Sequence, residues 1–158
     1  MDDINDIFLE ACHIGDLDKA KDCLTNKDLE RQAFIDTKDK NGWTGLMIAA
    51  FRGDVEMMKY FLTSDELNIH ANIEEAIPEL YFNAFMIACY YNKEDIISYL
   101  IMDYNLQIDD KTRVWLILGN DTYNPEYSKV LNMIDARDIN NHLQETLVSK
   151  TQNKLKKI

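Results

Sequence analysis

Apolar positions along the chain recur at helical spacing rather than alternating along strands. In residues 44–62, Leu46, Ala49 and Ala50 fall on one helical face, and Val55, Met58, Phe61 and Leu62 on the face of a second helix. Residues 83–101 can be laid on residues 44–62 with large apolar residues at the same offsets. A pair of small residues, Ala49-Ala50 or Ala88-Cys89, falls mid-helix in both stretches. The N-terminus repeats the order with Phe8, Leu9, Ala11, Cys12, Gly15 and Asp16, followed by Ala20, Cys23 and Leu24. Each unit reads as two short helices, joined at Gly15 or Gly53, where glycine closes a helix in the left-handed conformation. The small pair has a mechanical reason: helices stacked side by side approach closely, and a leucine there would hold them apart.

The pattern weakens toward the C-terminus without disappearing. Val114, Trp115, Leu116 and Ile117 predict the first helix of a degenerate fourth unit. Asn124-Pro125-Glu126 reads as a helix start, with asparagine as cap and proline at the first helical position, and Val130, Leu131, Met133 and Ile134 continue it. Residues 138–157 read as a separate final helix with Ile139, Leu143, Leu147 and Leu155 facing inward. The expected fold is all-α: a helical solenoid of about four helix-pair units, at roughly 4–38, 39–78, 79–110 and 111–136, in a single domain closed by a capping helix at 138–157.

Three units that agree in order and spacing carry a resemblance. Asp39-Lys40-Asn41-Gly42-Trp43-Thr44 supplies a hairpin turn, and Leu46, Ala49, Ala50 and Gly53 follow at the offsets of T-P-L-H-x-A-A and its glycine. The chain thus resembles the ankyrin repeat family, best in residues 39–62, then 83–101, then 6–24. It departs from the family pattern at Gly45, where proline is usual, at Met47, where histidine is usual, and at Asn83 and Ala84 in the third unit. The second and third units lie 39 residues apart, against about 33 in the family. The excess within Thr63–Phe82, which holds Pro78, Glu74, Glu75 and Glu79, reads as an enlarged hairpin finger with a helical turn at Ile73–Ala76.

Charge and motif content narrow the function. The formal net charge of −11 opposes the field that a general nucleic-acid binder needs. No run of about 18 apolar residues predicts a membrane span, and the acidic start MDDINDIFLE does not read as a signal peptide. Cys12, Cys23 and Cys89 form no CxxC and sit in apolar segments, which points to a reducing cytoplasm or nucleus. The sequence contains no GxxxxGK[ST], GxGxxG, GxSxG or HExxH, and His13, His70 and His142 have no metal-ligand spacing. No enzyme, cofactor or metal is expected. Heavy use of Asn, Ile, Lys and Asp suggests an AT-rich genome, which suits a parasite, a protist or a large virus and an effector role.

The resemblance implies binding of another protein on the concave side, through hairpin tips and the exposed ends of first helices. Carried over position by position, the contact residues are Lys40, Asn41, Trp43, Phe51, Arg52, Phe82, Tyr90 and Tyr91, flanked by Lys38, Glu79, Leu80, His13 and Ile14. Aromatic residues and arginine at water-facing positions fit a protein interface. Residues 41–111 carry twelve acids against four bases, which suggests a partner with a basic surface. Lys150, Lys154, Lys156 and Lys157 follow the last acid and suit the end of a helix. Neither nucleic acid nor membrane is expected as a partner, and a monomer is expected before a homo-oligomer.

Overall fold

A computed structural model describes residues 3–26, 32–78, 80–122 and 125–155, with the side chains of 119–122 and 147–155 outside the description. The described residues form eight α-helices: α1 Ile4–Ile14, α2 Leu17–Leu24, α3 Gly45–Arg52, α4 Val55–Thr63, α5 Ala84–Tyr90, α6 Glu94–Ser98, α7 Asp110–Thr122 and α8 Tyr127–Leu155. A π-helical turn, Tyr99–Asp103, follows α6. No strand occurs among them; two isolated antiparallel bridges, Lys38 with Thr44 and Ala76 with Asn83, close the bases of two hairpins. The packing groups the chain into two compact units, Met1–Tyr99 and Leu100–Ile158.

In the first unit, helix starts are fixed by short polar side chains. Thr44 accepts from Met47 N at 3.3 Å, and Asn83, in the threonine position of the third repeat, accepts from Met86 N at 3.0 Å. Asp16 caps α2 through Lys19 N, and Asp54 caps α4 through Met57 N, both at 2.9 Å. Each such cap contributes about 1 kcal/mol. At the equivalent position before α6 stands Lys93, which makes no side-chain cap bond. The turn between the helices of each pair is left-handed: Gly53 has φ 80° and donates its amide to Ala49 O and Ala50 O. In the third repeat Asn92, at φ 52°, takes the glycine position.

The small pairs lie where helices meet. Ala49, Ala50, Ala88 and Cys89 are all essentially inaccessible to solvent. Phe8, Leu46, Met57, Met58, Phe61, Phe85 and Ile87 are equally buried in the same unit. Gly45 explains one departure from the family pattern. A Cβ there would stand 2.8 Å from Phe8 Cζ and 3.1 Å from Cys12 Sγ, so the first helix fills the space a proline ring would need.

The second helices carry a ladder that the apolar pattern did not reveal. The ammonium of Lys21 lies 5.0 Å from the Tyr60 ring centre, and that of Lys59 lies 5.2 Å from the Tyr99 ring centre. Each lysine therefore reaches the tyrosine of the next repeat, and such contacts are worth about 0.5–1 kcal/mol at exposed sites. Burial, with the acceptor Glu66 Oε2 at 3.1 Å, pushes the Tyr60 phenol up to about 12.

The lengthened repeat does not enlarge the finger as expected. One hairpin turns through Lys40, Asn41 and Gly42 between the paired Asp39 and Trp43, and the next through 78–81 between Ile77 and Phe82, a difference of one residue. The remaining excess lies between the second helix and the hairpin. There Ala33 N donates to Cys23 O and Ala71 N to Phe61 O, both at 2.9 Å, and both alanines are buried. Where a helical turn is predicted at Ile73–Ala76 there is a single turn, closed by Glu75 N on Asn72 O at 3.1 Å.

In the second compact unit, α7 starts at an Asp109 cap, and hydrogen bonds from Thr112 hold that carboxyl below the usual range. The C-terminal reading needs correction. One helix, α8, runs through 135–138 without a break, because Asp135-Ala136-Arg137-Asp138 contains no glycine or proline and Arg113 bonds both Asp135 and Asp138 at 2.6 Å. Tyr127, Val130, Ile134 and Arg137 form the buried stripe. Ile139 and Leu143, expected inside, are 63% and 54% exposed, since they fall on another side of the same continuous helix. Leu147 and Leu155 have side chains outside the description, as does the cap position Asn124.

Candidate partner-binding face

The first hairpin is built by Asp39. Its Oδ1 accepts from Asn41 N at 2.8 Å and Trp43 N at 2.9 Å, while Gly42 turns at φ 81°. This holds Lys40 and Asn41 exposed at the tip and presents the half-buried Trp43 beside the end of α3. In the next hairpin Tyr81 occupies the Gly42 position and keeps the left-handed backbone at φ 55°, and the residue is 78% exposed. A tyrosine is strained in that conformation by about 1–3 kcal/mol.

Five of the eight anticipated contact residues come together as one row of rings. Trp43 meets Phe51 edge-on at 5.7 Å, Phe51 meets Tyr91 at 4.7 Å, Tyr91 meets Tyr90 at 5.1 Å, and Tyr90 meets Phe82 at 6.0 Å. Edge-to-face geometry satisfies the ring quadrupoles within the row and leaves area open on it. Phe51, Tyr90 and Tyr91 are 42%, 51% and 45% exposed. The row joins two hairpins and two first-helix ends, so it exists only once the repeats have stacked.

Arg52 is placed differently. Its guanidinium donates to His13 O at 2.6 Å and Ile14 O at 3.3 Å, so it caps the carbonyl end of α1 and packs against Gly15. Lys38 pairs with Glu75, and Glu79 lies outside the described residues. His13 approaches Asp39 Oδ2 at 3.7 Å, and His70 is exposed and bonded to Ser64 O at 3.0 Å. The residue that sequence reasoning missed is Lys93, whose ammonium lies 5.9 Å from the Phe51 ring centre. Its signal was available: it aligns with Asp16 and Asp54.

Five of the twelve acids behind the expected basic partner stand on or beside the second helices. Glu56 is on α4, Asp65 and Glu66 are in the loop after it, and Glu94 and Asp95 open α6.

No group of three or more His, Cys, Asp or Glu able to hold a metal occurs among the described residues. No helix among them is long and apolar enough to cross a membrane. An open cleft of about 300 Å³ is lined, among the described residues, by Leu24, Gln32, Ala33, Phe34, Ile35, Leu67, Asn68 and Ile69, none of them titratable or nucleophilic. Burial pushes the Cys12 thiol up to about 12 and raises Cys23 and Cys89 as well. At pH 8 a pKa near 12 leaves roughly one thiolate in ten thousand. A thiol-reactive aromatic disulfide at pH 8 is thus expected to label none of the three cysteines rapidly in native protein and all three in denaturant. Rapid native labelling would show that the helix pairs open.

The family model for ankyrin repeats, in three copies, matches residues 8–112. The chain belongs to the ankyrin repeat family. Ankyrin repeats are in general protein–protein interaction modules, and proteins built from them are typically non-catalytic. The match covers the repeats that build the aromatic row and ends at the start of α7. No curated protein and no solved structure matches the chain significantly.

Proposed function

We propose that this ankyrin protein is a non-catalytic binding module, an adaptor, inhibitor or effector, that captures a partner protein on the face formed by its hairpins and first-helix ends. The observation that carries the reading is the continuous row Trp43–Phe51–Tyr91–Tyr90–Phe82. Exposed aromatic area of this kind costs solubility unless a partner covers it, and aromatic anchors dominate interface energetics. The contact set is Trp43, Phe51, Phe82, Tyr90 and Tyr91, with Lys40 and Asn41 at its rim and Arg52 as the strut that holds the α3 end against α1. Three buried free thiols support a reducing compartment such as the cytoplasm or nucleus.

The test is capture from native lysate by wild type and by a Trp43→Ala, Tyr90→Ala, Tyr91→Ala variant, with the fold verified by circular dichroism. The variant is expected to lose the partners that wild type retains. Equal recovery by both proteins sinks the reading. A second reading, self-association as a scaffold, is favoured by Val114, Ile117 and Leu118, which form a stripe on α7 at least half exposed. Light scattering decides it: a stable oligomer supports the scaffold, and a monomer removes it.

A further inference from the structure

Lys93 breaks the rule that the other two repeats obey. Asp16 and Asp54 cap their second helices, whereas Lys93, at the same place, forms no cap bond and sets a cation where the helix end favours an anion. The α6 helix gains nothing from this exchange. The Lys93 side chain instead crosses Gly53, where a Cβ would stand 3.4 Å from its Cδ, and delivers its ammonium to the Phe51 ring at 5.9 Å. Its stem is thereby held, and the charge sits at the edge of the aromatic row.

The other charges around the rings reinforce that sign. Lys40 is exposed at the tip of the hairpin that presents Trp43. The acid of that hairpin, Asp39, is committed to the amides of Asn41 and Trp43 and faces His13. A chain of net charge −11 therefore presents a locally cationic rim to its aromatic row.

Resting on the row as the docking face, we propose that the partner segment carries a carboxylate next to an aromatic or large aliphatic side chain. The apolar side chain packs on Phe51, Tyr90 and Tyr91. The carboxylate accepts from the Lys93 ammonium and neutralises the positive rim. The positive ring edges favour the same sign of partner. Long-range repulsion from the rest of the acidic chain makes this contact selective: a partner that is acidic throughout is turned away, and one acidic at a single point beside an apolar anchor is accepted.

The test selects a displayed library of random short peptides on wild type, on the Trp43/Tyr90/Tyr91 alanine variant and on Lys93→Asp. Lys93→Asp installs the residue that Asp54 supplies one repeat earlier, so its melting temperature is expected to equal or exceed that of wild type. Wild-type binders are expected to be enriched in Asp or Glu beside Trp, Tyr, Phe or Leu. Synthetic copies are expected to bind Lys93→Asp about tenfold more weakly, an effect of roughly 1.4 kcal/mol, and to weaken as salt is raised. Replacing the peptide carboxylate by its amide is expected to cost affinity for wild type and little for Lys93→Asp. Binders that require the aromatic row yet lack acids, or that bind Lys93→Asp equally well, overturn the carboxylate proposal and leave the docking face standing. A library that yields no binder sensitive to the alanine variant overturns both.

Discussion

Phe61→Ala is expected to destabilise the protein by about 3–5 kcal/mol, the range for removing a fully enclosed aromatic ring. The Phe61 ring has no exposure, lies 5.6 Å from the Phe8 ring and 6.2 Å from Tyr60, and its carbonyl receives Ala71 N. It therefore ties the first repeat, the second helix of the second, and the loop that leads to the next hairpin. Urea unfolding checks the value, with the midpoint falling and the slope unchanged. Phe51→Ala is the control, because its ring is 42% exposed and its neighbours are other ring edges. That substitution is expected to cost about 1 kcal/mol or less. Equal losses for the two would mean that the aromatic row is core and not surface.

The second large effect runs against the family pattern. Proline is usual where this chain has Gly45, so a substitution toward the family would ordinarily be chosen to stabilise it. Here Gly45→Pro is expected to destabilise by about 1–3 kcal/mol, the usual cost of forcing extra atoms into a filled site. The reason is the Phe8 ring, 2.8 Å from where the new Cβ would stand, with Cys12 Sγ behind it at 3.1 Å. Backbone geometry is not the obstacle, since the first position of a helix accepts proline. Phe8→Leu should therefore relieve part of the Gly45→Pro loss. A double-mutant cycle by denaturant melts measures that coupling, and strict additivity would show that the two sites do not touch.

Much of the repeat architecture was legible because it is written in local signals. Helical periodicity, the alanine pairs, Gly15 and Gly53, and the threonine or asparagine before α3 and α5 act within a few residues of where they stand. The spacing of those signals also pointed to stacking, since no single pair can bury its apolar face alone. Legibility failed where a signal was read without its partner. Ile139 and Leu143 look like core residues by periodicity, but the register of α8 is set by Tyr127, Val130 and Ile134 against α7, and by Arg137 on Leu106 O. The longer spacing between repeats looked like an enlarged finger, yet the extra residues form the loop after α4 that Ala71 anchors on Phe61 O.

The candidate site divides in the same way. Its residue types and positions could be read from the chain, because aromatic residues stood where a repeat of this kind meets water. Their joining into one row could not, since Trp43 and Phe51 belong to one repeat and Phe82, Tyr90 and Tyr91 to the next. Nor could the sequence tell that Arg52 would turn back onto the carbonyls of α1, or that Lys93 would reach across Gly53 to Phe51.

By itself, then, the sequence determined the helices, their ends, the repeat unit and the family, because those depend on interactions along the chain. Only the tertiary structure decided which long side chains serve as struts and which reach the aromatic row. Flexible arginine and lysine side chains reach several ångströms across repeats, and their destinations depend on neighbours that stacking alone brings within range.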